Sequence, residues 1–157
     1  MNFEPKIEKG GGGEKLKKYD PITKYMAQNL ITFSADMEIT EVIDALLEHQ
    51  ISGGPVLNEQ GEIIGVIDDK DCLHTLVDSV YHNVPVRERR VKSYMTDVYK
   101  TIHIDSDIVD AANIFLDTKY KRLLVVDDKG KLKGQISRRD ILRAIKDLNP
   151  TNWRKQE

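Results

Sequence analysis

Chemistry is most legible in the stretch Gly134-Gln135-Ile136-Ser137-Arg138-Arg139-Asp140-Ile141-Leu142. An apolar, strand-like run ends in a hydroxyl, two guanidinium groups follow, and a carboxylate stands three residues after the hydroxyl. Ser137 suits the N-cap of a helix and Asp140 its third position, the two members of a capping box. The same spacing also suits a ligand. Free N–H groups at a helix start, a hydroxyl and two arginines attract phosphate. An aspartate beside them can accept both hydroxyls of a ribose. On the residues alone, both readings stand.

Other reactive side chains assemble less well. His49, His74, His82 and His103 show no ligand spacing with carboxylates or with the single cysteine beyond Cys72-Leu73-His74, whose members point to different faces of a helix. Cys72 has no activating cation in register and reads as a small packed residue. One cysteine excludes an internal disulfide framework and suits a reducing cytoplasm. Gly10–Gly13 followed by Lys15 lacks the preceding strand and following Ser or Thr of a phosphate loop, and reads as a flexible leader. Asp68, Asp69 and Asp71 fit a solvated helix start better than a metal site. No nucleophile, base and orienting group form a set, so neither an enzyme nor a bound metal is expected.

The elements that position these groups come in two copies. Tyr25–Leu73 recurs at Tyr94–Leu142, shifted by 69 residues without a gap. The identities fall on Asp36/Asp105, Gly61/Gly130, Gly65/Gly134, Asp71/Asp140 and on apolar positions. Such residues are chosen by backbone geometry and burial. Glu38–Gln50 has Ile39, Val42, Ile43, Leu46 and Leu47 on one helical stripe, with Asp36 ahead as a cap. Ile108, Ala111, Ala112, Phe115 and Leu116 repeat the stripe, with Asp105 or Ser106 as its cap. The runs Pro55–Leu57 and Ile63–Ile67 flank Gly61, and Leu123–Val126 and Leu132–Ile136 flank Gly130, so each pair predicts a hairpin. A short strand at Leu30–Thr32 or Tyr99–Ile102 and a second helix from Asp69 or Arg138 complete a β-α-β-β-α unit of mixed α/β class. Its sheet has one face covered by helices, and a second copy must cover the other. The organisation predicted is a leader to residue 20, a repeat over 21–78, a linker over 79–92 holding Arg87, Arg89, Arg90 and Lys92 (solvated first, a basic contact patch second), a repeat over 93–148, and a tail over 149–157 whose Trp153 docks on the module or a symmetry mate.

The formal charge of −2 over 157 residues hides a division. Ser34–Asp78 has eleven acids against Lys70 alone, whereas Lys119–Glu157 has twelve Lys and Arg against five acids. The basic half lacks interleaved aromatics, which argues against nucleic acid. No apolar run approaches the ~20 residues of a membrane span.

Both repeats resemble CBS domains, named for cystathionine β-synthase, and the tandem resembles the regulatory pair called a Bateman module. The resemblance covers Lys24 to about Asp147. It rests on Ile51–Val56 and Gly65–Asp71 in the first repeat, and on Lys121–Asp127 and Gly134–Leu142 in the second. It implies two clefts related by a pseudo-twofold axis, each combining a Ser/Thr-x-x-Asp motif with segments of the other repeat. Carried over, one cleft would hold an adenine nucleotide, with Asp140 on the ribose, Ser137 and Arg138 near phosphate, and Gln135 beside them. Leu30, Ile31, Ile51 and Ser52 would come from the first repeat, and Arg122 would reach phosphate near the axis. The first repeat departs from the pattern: Asp68 stands where a hydroxyl is expected, beside Asp69 and Asp71. Three carboxylates repel phosphate, so a weak or empty cleft is expected there. The resemblance implies a non-catalytic sensor, acting as a homodimer on an unknown regulated protein. The alternative is a ligand-free dimerisation or interaction scaffold.

Overall fold

Helices begin where an acid can close a capping box. In the computed structural model, which describes residues 19–83 and 89–148, α1 (Ile39–His49) starts after Glu38, whose N–H donates to the Glu41 carboxylate at 3.1 Å. Helix α3 (Ile108–Asp117) starts after Asp107, which accepts from the Val109 and Asp110 N–H groups at 2.9 Å. The caps are therefore not Asp36 and Asp105 or Ser106. Those lie too early for an acid three residues later to answer them, as Glu41 and Asp110 do here.

The first unit runs β1 (Phe33–Ser34), α1, β2 (Gly53–Leu57), β3 (Ile63–Asp68) and α2 (Asp69–Tyr81). The second runs β4 (Thr101–His103), α3, β5 (Arg122–Val126), β6 (Leu132–Ser137) and α4 (Arg138–Leu148). Each forms a three-stranded sheet in chain order, the first pair of strands parallel and the second antiparallel. The first strands start later than Leu30 and Tyr99, because pairing begins where Phe33 meets Val56 and Thr101 meets Leu124. Gly61 and Gly130 turn the hairpins at φ +77° and +75°, which glycine adopts without a Cβ clash.

The two units are interlocked rather than merely stacked. Ile22, at the start of the first repeat, is fully buried with Ile102, Phe115, Leu123 and Ile136 of the second. Val91, at the start of the second repeat, is fully buried with Phe33, Val42, Val56 and Ile67 of the first. Tyr25 donates to Asp147 at 3.0 Å, and its counterpart Tyr94 donates to Asp78 at 2.7 Å. Backbone bridges Ala27–Gln135 and Val66–Thr96 are likewise equivalent under the 69-residue shift. Glu62 bridges Lys131, its own counterpart, so this pair sits on the pseudo-twofold axis.

Two further expectations need correction. Leu47 and Leu116 are 75% and 83% exposed, so the stripes of α1 and α3 are narrower than their sequence suggests. The segment before the second repeat is not simply a solvated linker: α2 extends to Tyr81, and Arg89 is buried, donating to the Thr75 carbonyl in the middle of α2. Residues 1–18, residues 84–88 (with Arg87) and the tail bearing Trp153 lie outside the described residues.

The bridge to Gln135 needs a bare backbone beside it. A Cβ on Gly134 would lie 2.6 Å from the Ala27 carbonyl oxygen, and one on Gly65 would lie 2.7 Å from that of Thr96. Gly134→Ala should therefore lower stability by about 1–3 kcal/mol, an overpacking cost. Urea denaturation tests this, and an unchanged midpoint would show that the close approach is dispensable.

A second test uses pH. Asp127 accepts from the Lys129 and Lys131 N–H groups at 2.9 Å, which holds its carboxyl below the usual 3.8, with the Lys131 bond the main cause. Because the folded-state value is depressed, its stabilisation is complete above the unfolded value and is lost as pH falls through the folded one. Its counterpart Asn58 makes the same contacts to Gln60 and Glu62 without titrating. Asp127→Asn should thus flatten the acid limb of the stability–pH curve below about pH 4 while leaving pH 7 stability nearly unchanged. An acid limb identical to that of the parent would remove Asp127 from the account.

Candidate functional site

Ser137 closes β6 and Arg138 opens α4, so the hydroxyl stands at a helix start. The Ser137 N–H and Oγ–H both donate to Asp140 Oδ2, at 2.8 and 3.0 Å, and the Asp140 N–H donates to Ser137 Oγ at 3.3 Å. Arg143 pairs with Asp140 Oδ1. Asp140 is consequently only 7% exposed, with both oxygens engaged. The capping arrangement is therefore present as drawn. A ribose could take this carboxylate only by displacing Arg143, whose side chain is 58% exposed and free to swing.

Around Ser137 opens a cavity of about 730 Å³, within the ~300–1,000 Å³ usual for small-molecule sites. The first repeat contributes Leu30, Ile31, Ile51 and Ser52 to its wall, and the second contributes Arg122, Gln135 and Ser137. Seven of the nine residues singled out in the sequence thus meet here. Arg138 and Asp140 do not line the cavity. Lys121, Arg139 and His49 do. Sequence spacing could not choose Arg139 over Arg138, because the choice depends on the angle at which α4 leaves β6. Lys121 was recoverable only as the sequence neighbour of Arg122. Lys121, Arg122 and Arg139 give this wall three cations, and no carboxylate lines it. Arg122 is also hydrogen-bonded to Ser52 Oγ, so one bond spans both repeats at the cavity edge.

The pseudo-equivalent cleft, of about 280 Å³, lies beside Asp68. Its wall includes Tyr99, Lys100, Tyr120 and Lys121, the counterparts of Leu30, Ile31, Ile51 and Ser52. The acids at the start of α2 do not set its charge alone. Lys100, Lys119, Lys121 and Arg122 line the same cleft as Asp68, and neither Asp69 nor Asp71 is among its lining residues. The expectation of an anion-repelling cleft is corrected on that point, because it weighed one repeat's residues in a cleft that both repeats build. Asp68 and Asp71 exchange backbone hydrogen bonds at 2.8 and 3.0 Å as a capping box. Burial, reinforced by the Asp68 charge and opposed by the Asp68 N–H, holds the Asp71 carboxyl above the ordinary aspartate range. Burial also pushes the neighbouring Cys72 thiol up to about 11, with the three aspartates adding to the shift, which leaves it a poor nucleophile. Lys121, Arg122, Gln135 and Gly54 line both clefts, which therefore share a wall.

Among the described residues no helix is long and apolar enough to cross a membrane. Comparison with known proteins bears on the family. The chain is 30% identical over 133 residues to inosine-5'-monophosphate dehydrogenase of Aquifex aeolicus, a match covering 85% of this chain but only 25% of that protein. It is also 30% identical over 129 residues to the chloroplastic CBS domain-containing protein CBSX1 of Arabidopsis thaliana, covering 68% of this chain and 55% of that one. The chain thus spans a quarter to about half of the length of these two relatives. The crystal structure of CBSX2 in complex with AMP superposes with a TM-score of 0.71 at 26% identity, over 83% of this chain and 98% of that one. The CBS domain family model matches residues 22–78 and again 91–147, the same two repeats that the fold shows interlocked, so the chain belongs to the CBS domain family as a tandem pair.

Proposed function

We propose that this CBS pair is a non-catalytic regulatory module that binds an adenine nucleotide in the Ser137 cleft. The observation that carries the reading is that wall: three cations and a serine hydroxyl opposite apolar Leu30, Ile31 and Ile51, with no carboxylate among the lining residues. Arg122, Lys121 and Arg139 meet phosphate, with Arg138 at the first helical position beside them. Leu30, Ile31 and Ile51 sandwich adenine, and Ser52 and Gln135 supply polar edges. Asp140 accepts the ribose hydroxyls once Arg143 is displaced. The solved AMP complex of CBSX2, at 26% identity, supports AMP as the first ligand to try. The buried, weakly acidic Cys72 suits a cytoplasmic protein.

Calorimetry with AMP tests the site. Charge-assisted hydrogen bonds contribute ~1.5–3 kcal/mol each, so Arg122→Ala and Asp140→Asn should each weaken AMP roughly 10- to 100-fold. Asp140→Asn keeps an acceptor for the cap while removing the charge. Unchanged affinity in both variants would move the ligand elsewhere. One observation favours the second reading, a ligand-free interaction scaffold: both Asp140 oxygens are already engaged by Ser137 and Arg143. A thermal-shift series with AMP, ADP, ATP and S-adenosylmethionine separates the two, because a ligand that binds only the folded chain must raise its melting temperature. No shift with any of them would favour the scaffold.

The module acts as a homodimer in this proposal. Helix α2 turns Cys72 and Thr75 toward its own sheet and leaves Leu73, Leu76, Val77 and Val80 47–67% exposed. An apolar stripe facing outward, over an inner face of small and polar residues, is the arrangement expected of an interface rather than a solvated helix. Leu76→Asp, which leaves the core untouched, should convert a dimer into a folded monomer by light scattering and circular dichroism. A variant that stays dimeric would place the interface elsewhere.

A further inference from the structure

We infer that Arg143 sets the ribose selectivity of the Ser137 cleft, by holding the Asp140 carboxylate and yielding it only to a ligand that brings ribose hydroxyls. The inference rests on the nucleotide reading above and adds how that site is regulated.

The helix cap does not need this arginine. In α1, α2 and α3 the acid at the third helical position (Glu41, Asp71 or Asp110) accepts from the N–H of the N-cap residue at 3.0–3.1 Å. Three residues beyond those acids stand Asp44, His74 and Asn113, none of them a lysine or arginine. In α4 the same box closes through Asp140 Oδ2, which accepts from the Ser137 N–H at 2.8 Å and from the Ser137 hydroxyl at 3.0 Å. Arg143 bonds the other oxygen, Oδ1, which the cap leaves aside.

That oxygen is the one a ribose needs. A carboxylate oxygen accepts about two hydrogen bonds, and Oδ2 already has two. Oδ1 can take both ribose hydroxyls once Arg143 leaves it. Asp140 is 7% exposed and does not line the cavity, whereas Ser137, bonded to it, does. The acceptor therefore stands one residue behind the cleft wall, with a cation on it. The Arg143 side chain is 58% exposed, so release returns the guanidinium to water, and ion pairs of such exposure are weak. Two hydroxyls on an ionised carboxylate make charge-assisted bonds, stronger than neutral ones. A ligand without those hydroxyls offers Asp140 nothing and leaves Arg143 seated. Lys121, Arg122 and Arg139 attract phosphate in either case. The cleft thus has two bound states, Arg143 seated or released, and the ribose hydroxyls choose between them.

The test is calorimetry on the full chain with AMP and with its 2′,3′-dideoxy analogue, which lacks both hydroxyls. Arg143→Ala should raise the preference for AMP over the analogue roughly three- to tenfold, the population shift expected of such an ion pair. The ratio cancels the loss of a cation near the phosphate, which both ligands feel alike. Arg143→Lys keeps a cation for Asp140 and should leave the ratio near that of the parent. Arg143→Met keeps the apolar stem without the charge, and replaces the alanine variant should circular dichroism show that one unfolded. AMP bound by the alanine variant and not by the parent would also support the inference, as a carboxylate fully held by Arg143. A ratio that does not rise in the uncharged variant, or that rises equally in Arg143→Lys, would overturn the role of Arg143 and leave nucleotide binding standing. AMP bound by neither parent nor uncharged variant would instead sink the nucleotide reading and this inference together.

Discussion

The structure depends on an exchange. The segment that begins each repeat in the chain completes the core of the other repeat, with Ile22 in the second core and Val91 in the first, both fully buried. Burying such a side chain contributes roughly 1.5–3 kcal/mol, and neither half can gain it alone. The exchange also fixes geometry. Once Ile22 and Val91 are seated, the chain just beyond each stays on the other repeat's sheet, where Ala27 bridges Gln135 and Thr96 bridges Val66, before it crosses back to its own. Those crossings hold the two sheets in register about the axis that passes through the Glu62–Lys131 pair. They also leave the clefts on either side of the shared wall.

The clefts are therefore a consequence of how the halves interlock, and the glycines show how tightly. Gly54 lies under the Ile31 carbonyl, where a Cβ would come within 2.7 Å, and it lines both cavities. Gly65 and Gly134 lie under the two crossing segments. Small residues at these points let backbone pass over backbone, so that Leu30 and Ile31 reach the Ser137 cleft while Tyr99 and Lys100 reach the Asp68 cleft. Residues of both repeats line each of the two clefts.

Much of this was legible in the sequence, and what was not has identifiable causes. The 69-residue repeat, the β-α-β-β-α order and the two hairpins follow from periodicity and glycine placement, which are local properties. The capping residues were misplaced by two positions because the apolar stripe marks where a helix exists more sharply than where it starts. Leu47 and Leu116 were assigned to the core because helical periodicity identifies an apolar face without saying what covers it. Arg89 was read as solvated because burial of an arginine depends on a distant carbonyl, here that of Thr75. Seven of the nine candidate site residues, carried over from the resemblance to CBS pairs, share one cavity because the interlocked repeats bring both sets together, whereas Arg138 and Asp140 miss its wall through the exit angle of α4 and the local pairing with Arg143.

The electrostatics of the site carry the most general lesson, since charge per segment and charge per cleft differ. Among the described lining residues of the smaller cavity, the acidic first repeat contributes one charge, Asp68, and the basic second repeat supplies Lys100, Lys119, Lys121 and Arg122. Lys121 and Arg122 serve the larger cavity as well, so any anion held in one cleft changes the field that a second anion meets in the other. Arg122 also holds Ser52 across the repeats. An anion that draws Arg122 away must break that bond, and one that leaves it intact gains less from the guanidinium. A ligand's power to shift the packing of the halves is bounded by how differently it binds the two arrangements. Arg122 lies on the wall between the two clefts and is bonded to Ser52 of the other repeat.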